Sequence, residues 1–475
     1  MRIVTPEHGW TPIVIEASLI VSTTAAVLAF GGTEPISFAI VEIALLLTAA
    51  VALFYVNAFS WREWWPSAGI PIALFVLVAL QLLPFPPQIL AWLRPGQPVW
   101  NVNAPGKLAT RYSALSIAPH NTRSQLLVLV CCFAVFFFAQ LVARKHAGRQ
   151  RLVTFLLALG TVEALYGLVQ YLSGWQRIFG YVKKYNLEEA TGTYINRNHF
   201  AGFLEMVIPF ALAMLLSQHA RSSRRHLQSS LKWRAVLAGE HLPRIGLQLF
   251  AVVIMIAGLF FSRSRMGIVA ALCTLALMVV FSNTQRKTGM WPAFAVTACV
   301  TILVTWLGAG SALGRFGNIS GEYLNAEESR LSLWQGTARL IAGHPLLGSG
   351  LATFPVAFTK VQDTFLGRFV NHAHNDYLEV ASDLGVPAAL LLFGSIVWLL
   401  FGVARKVSSA EASFDRAVPL ACLGSIVAIL LHSLTDFNLY IPANAMVFSL
   451  ILGLTSSIVG KVERGDSRQQ PQNEA

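Results

Sequence analysis

The sequence predicts an all-α, polytopic membrane protein of about twelve transmembrane helices, and three observations carry that prediction. The 475 residues are 55% hydrophobic and only 12% charged, about half the charge expected of a soluble chain. Apolar runs of about 20 residues recur along it, long enough to cross a hydrocarbon layer. Lysines and arginines gather in the short loops between those runs. The net charge of +12 therefore reflects membrane topology rather than nucleic-acid binding, and no nucleic-acid partner is expected.

The expected spans are 13–30, 36–56, 70–92, 124–143, 152–172, 198–217, 246–262, 266–282, 291–309, 385–403, 417–435 and 441–459. No cleavable leader is evident, so the first run reads as a retained signal anchor. It forms a hairpin with the second, turning at Gly31-Gly32. Pro66 precedes the third span, and Pro84, Pro86 and Pro87 kink or end it. Asn121-Thr122 or Ser124 is expected to cap the fourth. All five cysteines (Cys131, Cys132, Cys273, Cys299 and Cys422) lie in apolar runs without CxxC spacing, which reads as small buried hydrophobes.

One set of loops carries Arg62, then Arg144, Lys145, Arg149 and Arg151, then Arg221 to Arg244, Arg286, Lys287, Arg405, Lys406 and Arg416. The opposite loops 31–35 and 436–440 carry no Lys or Arg. The positive-inside rule then places both termini in the cytoplasm and segments 93–123, 173–197 and 310–384 outside. The expected units are 1–197 (helices one to five with their external loops), 198–404 (a core of helices six to ten with the large loop 310–384), 405–460 (the last two helices) and a polar cytoplasmic tail, 461–475.

Polar residues concentrate on the external side. Ser262-Arg263-Ser264-Arg265 is a tight turn between two apolar helices, opposing the charge bias. Two cations beside hydroxyls suit a pyrophosphate at the membrane surface, or snorkel to lipid phosphates. Asn196, Arg197, Asn198 and His199 precede a helix whose free N–H groups offer an anion site, or simply cap it. Asp436 and Asn438 stand at the outer end of the eleventh helix, placed to orient an arginine or a substrate hydroxyl or to cap the helix end.

The longest water-compatible run is Ser329 to Pro387. Asn325 and Glu328 suggest a capping arrangement for a helix over 327–342, with Arg330, Trp334 and Thr337 on one stripe and Gly343-His344-Pro345 ending it. Gly348-Ser349-Gly350 permits close backbone approach. A second helix places His374, Tyr377, Leu378 and Ala381 on one face, with Asp376, Glu379 and Asp383 on the other. His374 in its first turn would be held neutral by the helix dipole, as a general base for a hydroxyl requires. His372 is a second candidate, but two histidines two apart without a third ligand are weak for zinc, so no metal and no cofactor are expected.

At four stretches, GTYINRNHFAGFLEMVIP, SRSRMGIVAA, SRLSLWQGTARLIAGHPLLGSGLATF and HNDYLEVASDLGVP, the chain resembles the O-antigen ligase and polymerase family of bacterial polytopic glycosyltransferases. The last stretch fits the ligases' His-Asn, nine residues, Gly pattern from His374-Asn375 to Gly385. The resemblance implies a GT-C type fold with a large periplasmic loop between helices nine and ten. It implies residence in the inner membrane and glycan transfer from undecaprenyl diphosphate to a lipid A–core or growing polysaccharide acceptor, without metal or nucleotide. His374 matches the catalytic histidine, Arg330 an essential loop arginine, and Arg263 or Arg265 the arginine of the SR turn. Asn196, Arg197, Asn198, His372, Asn375 and Tyr377 are the further expected substrate contacts. From other classes, a twelve-helix flippase or transporter or a non-catalytic partner of a polysaccharide assembly complex competes. A transporter would show related halves and ionisable groups at mid-depth, and no convincing repeat is visible.

Overall fold

The computed structural model describes residues 11–55, 61–93, 113–226, 242–283, 330–362, 369–409 and 414–460. The helices there are α1 (Thr11–Leu28), α2 (Pro35–Tyr55), α3 (Trp61–Leu82), α4 (Pro87–Leu93), α5 (Pro119–Val142), α6 (His146–Ser173), α7 (Arg197–His226), α8 (Leu242–Phe261) and α9 (Arg265–Asn283). They continue with α10 (Arg330–Gly343), α11 (Phe354–Phe358), α12 (Asp376–Leu384), α13 (Val386–Ser409), α14 (Phe414–His432) and α15 (Pro442–Val459). Two antiparallel ribbons, β1 (Pro84–Phe85) with β2 (Ser113–Ala114) and β3 (Arg177–Ile178) with β4 (Tyr181–Val182), complete the described elements.

Among the described residues, seven helices are long and apolar enough to cross a membrane: α2, α5, α6, α7, α13, α14 and α15. Shorter apolar stretches lie in α1, α3, α8 and α9. The chain is a multi-pass helical membrane protein. Every expected span except the third and the ninth coincides with one of these helices; 291–309 lies outside the described residues, as does the Asn325–Glu328 cap.

The third span differs from its expected bounds. Its helix runs from Trp61 to Leu82, with Pro66 inside it rather than before it. As the sixth residue, Pro66 lies beyond the free N–H groups of the first turn and forfeits one backbone hydrogen bond of the helix. Pro84, Pro86 and Pro87 then withhold three donors, so the chain leaves the helix, pairs sideways through β1 and β2, and restarts as α4.

At the centre stands α7, whose side chains from Phe200 to Met214 are all buried. Pro209 interrupts its hydrogen-bond ladder. Beside that gap the Ser425 hydroxyl of α14 donates to the Met206 carbonyl, and Gly424 lets α14 approach, since a Cβ there would meet Pro209 at 3.0 Å. The carbonyl that Pro209 itself leaves without a helical donor is that of Glu205, four residues earlier.

The two ends of the bundle differ in chemistry. One end gathers Arg144, Lys145, Arg149, Arg151, Arg405, Lys406 and Arg416, tied by Arg151 to Glu16 on α1 and by Arg149 to Asp415 at 3.5 Å. The other end carries the long connections. There the Gly31-Gly32 turn, with φ of +71° and +75°, seats against Tyr194: a Cβ on Gly31 would come within 2.7 Å of that ring.

The large loop packs α10, α11 and the chain before α12 around Leu340, Phe354, Ala357, Phe358 and Ala373. Asn121 and Thr122 do not cap α5, which starts earlier, at Pro119. They bind the loop instead: Thr122 Oγ1 donates to the Leu351 carbonyl at 2.9 Å, and Asn121 Nδ2 to the Ala352 carbonyl at 3.3 Å. Gln81 Nε2 donates to the Leu347 and Asp383 carbonyls at 2.8 and 2.9 Å. Gly348-Ser349-Gly350 runs directly against α12, with the Ser349 and Gly350 amides donating to the Ser382 and Asp383 carbonyls at 2.8 and 3.0 Å. A Cβ on Gly348 would lie 2.2 Å from the Asp383 carbonyl oxygen.

Candidate active site

The loop-rich end brings the start of α12 against the turn leaving α14. Asn375 is the α12 N-cap, its Oδ1 accepting from the Leu378 amide at 3.0 Å while its Nδ2 donates to the Leu434 carbonyl at 2.9 Å. The Asp376 amide donates to the Ser433 and Asp436 carbonyls at 3.0 and 3.2 Å. His374 lies one residue ahead of the cap, at φ +50°, and not in the first turn as expected. Its electrostatic setting is therefore a neighbouring carboxylate and not the helix dipole. Nδ1 sits 3.4 Å from Asp436 Oδ1, with the His374 side chain 35% exposed and that of Asp436 1%. No hydrogen bond engages Nε2 among the described residues.

Asp436 is held from several sides. Its Oδ2 accepts from Asn198 Nδ2 at 2.7 Å, and its Oδ1 from the Phe437 amide at 2.9 Å. Burial alone would raise its carboxyl, but the adjacent His374 imidazole and the charges of His199 and His432 outweigh that and hold it well below the ordinary carboxylate range.

Three further histidines surround this pair. His372 Nδ1 is 2.7 Å from Glu379 Oε1, and its ring stacks on Phe437 at 3.9 Å. His199 is buried, edge-on to Phe437 at 4.8 Å, with Nε2 lacking a partner among the described residues. His432, at the end of α14, shares both oxygens of Glu205 at 3.1 Å. Arg330 is the first residue of α10.

The other expected residues divide. Asn196 caps α7, its Oδ1 accepting from the Asn198 amide at 2.9 Å. Arg197 pairs with Glu189. Tyr377 donates its hydroxyl to the Leu430 carbonyl at 2.7 Å. Asn196, Asn375 and Tyr377 thus spend polar groups on the fold. In the 262–265 turn the hydroxyls serve the backbone: Ser262 Oγ accepts from the Ser264 amide at 3.2 Å and Ser264 Oγ from the Gly267 amide at 3.4 Å. Arg263 Nη1 lies 3.2 Å from Glu188 Oε2. The turn stands near the start of α7, because a Cβ on Gly267 would meet Ala201 Cβ at 2.8 Å.

His432, Glu205 and the pairing of Asp436 with His374 were not singled out from sequence. The available signal was lone ionisable residues within or ending apolar spans. On α12 the acid face is buried: Asp376, Glu379 and Asp383 are at most 1% exposed. Among the described residues no three His, Cys, Asp or Glu side chains are grouped to hold a metal ion.

The arrangement offers an imidazole with one nitrogen facing an ionised carboxylate and the other unengaged among the described residues. Residues 250–393 match the family model described as O-antigen ligase, a stretch holding Arg263, Arg265, Arg330, His372 and His374. No curated protein matches the chain. That stretch is similar to the O-antigen ligase family over about a third of the chain.

Proposed function

We propose that the chain transfers a glycan from undecaprenyl diphosphate to an acceptor hydroxyl at the periplasmic face of the bacterial inner membrane, as a GT-C type ligase with a lipid A–core acceptor. His374 Nε2 takes the acceptor's proton as its oxygen attacks the anomeric carbon. The bond from that carbon to the diphosphate breaks, and the lipid diphosphate leaves with the electron pair. Arg330 and the Arg263–Arg265 turn bind the diphosphate and hold its charge. With so good a leaving group, positioning and charge stabilisation are the main tasks.

The observation that carries this reading is the His374–Asp436 pair. A carboxylate 3.4 Å from Nδ1 favours the tautomer with the proton on Nδ1, which leaves the Nε2 lone pair for the substrate. The polymerase reading uses the same chemistry on a growing chain, so acceptor choice separates the two. The test is transfer by the purified protein from lipid-linked glycan, with lipid A–core and repeat-unit acceptors supplied side by side. Product is expected on lipid A–core and lost in His374→Ala, by about 10²- to 10⁴-fold. Product on the repeat-unit acceptor alone moves the assignment to polymerase, and full activity in His374→Ala removes the mechanism.

A further inference from the structure

We infer that Glu188 is the displaceable counter-ion of the anion-binding turn: it occupies Arg263 while the site is empty and yields it to the donor's diphosphate. This deepens the reading of Arg263 as a diphosphate ligand and rests on it.

Arg263 is the fixed partner. It sits in the turn between α8 and α9 at φ +54°, its amide donating to the Phe260 carbonyl at 2.9 Å. Its side chain is only 12% exposed. The guanidinium carbon lies 5.9 Å from the Tyr171 ring centroid, and Tyr171 packs on Phe261 at 4.5 Å. A cation so enclosed is destabilised without an anion beside it.

Glu188 is the movable partner. Its side chain is 78% exposed and touches Arg263 Nη1 at 3.2 Å. The adjacent acid shows what a built-in carboxylate looks like here: Glu189 is 6% exposed and pairs with Arg197. Its carbonyl accepts from Lys183 Nζ at 3.1 Å. The loop carrying both is anchored where the Ala190 amide donates to the Phe261 carbonyl at 3.0 Å. Glu188 can therefore swing into water without loosening the loop. A diphosphate offers more charge and several acceptor oxygens in its place. Among the described residues no other contact of Glu188 requires the acid.

The consequence is competition. Removing the charge of Glu188 frees Arg263 and tightens anion binding, by about two- to fivefold for a partly exposed pair. The experiment titrates the full chain in zwitterionic lipid nanodiscs with inorganic pyrophosphate, comparing wild type, Glu188→Gln, Glu188→Ala and Arg263→Ala. Both Glu188 variants should tighten binding, and Arg263→Ala should weaken it. Unchanged or weaker binding in both Glu188 variants, with Arg263→Ala still weakened, overturns the counter-ion role alone. Wild-type pyrophosphate binding in Arg263→Ala removes the underlying reading. Repeating the titration in discs containing phosphatidylglycerol distinguishes the source of the anion. Persistence of the gain supports the donor diphosphate, and its disappearance assigns Arg263 to lipid headgroups and overturns the proposal.

Discussion

Asp436 and Asp376 are buried neighbours, joined by a backbone hydrogen bond of 3.2 Å, yet their surroundings drive them in opposite directions. Asp436 faces imidazoles and an amide donor from Asn198, and stays ionised despite burial. Asp376 meets the Ser433 hydroxyl at 2.7 Å and the Leu439 amide at 3.2 Å, with Glu379 nearby, and burial pushes its carboxyl well above the ordinary range. Asp383, one face further along α12, follows Asp376: burial raises it, while it accepts from the Tyr440 hydroxyl and the Ala352 amide at 2.9 and 2.6 Å. Burial does not decide what a carboxylate does here; the charge of its partners does. The Asp436 region keeps an ionised carboxylate against an imidazole, and the α12 face holds the loop to the bundle.

That contrast is breakable by substitution. Asp436→Asn should lower the turnover of glycan transfer by on the order of 10²-fold, because the imidazole loses the partner that orders its tautomer. Asp376→Asn, which keeps the shape and a hydrogen-bonding side chain, should leave turnover close to wild type. Equal losses in the two variants would erase the distinction. Tyr377→Phe probes the structural side alone. It should cost about 0.5–1.5 kcal/mol of stability for the lost bond to the Leu430 carbonyl while pyrophosphate binding holds, and weakened binding would restore Tyr377 to the substrate.

The smallest effect is in pH. An acid whose folded pKa is raised, as for Asp376 and Asp383, contributes fully below the ordinary carboxylate value of about 3.9 and costs stability as pH climbs toward the folded value. Asp436, whose pKa is depressed, contributes above that value and loses its contribution only as pH falls through it. The unfolding temperature of Asp376→Asn should therefore gain on wild type between about pH 5 and pH 8. A gain running the other way would mean that Asp376 is ionised in the folded protein.

Local geometry was readable from sequence, and contacts between distant segments were not. Apolar run lengths located the spans, Gly31-Gly32 the first hairpin, and Gly348-Ser349-Gly350 a close approach later found against Ser382 and Asp383. The helical stripe expected to hold His374 and Tyr377 together did not form, because His374 precedes the α12 cap. The sequence pattern could not tell that α14 covers Tyr377, or that the turn after α14 supplies Asp436 to His374. Asn121 and Thr122 failed for the same reason. Their side chains suit a cap, but the loop at Leu351 and Ala352 claims them. Periodicity reports which residues share a face and is silent on which segment meets it.

The most direct test of the central pairing is a double-mutant cycle on turnover with His374→Gln and Asp436→Asn. If Asp436 acts through the imidazole, the double variant should be no slower than His374→Gln alone. Losses that multiply across the two sites would show that the carboxylate works independently of His374, and the account of the site would not stand.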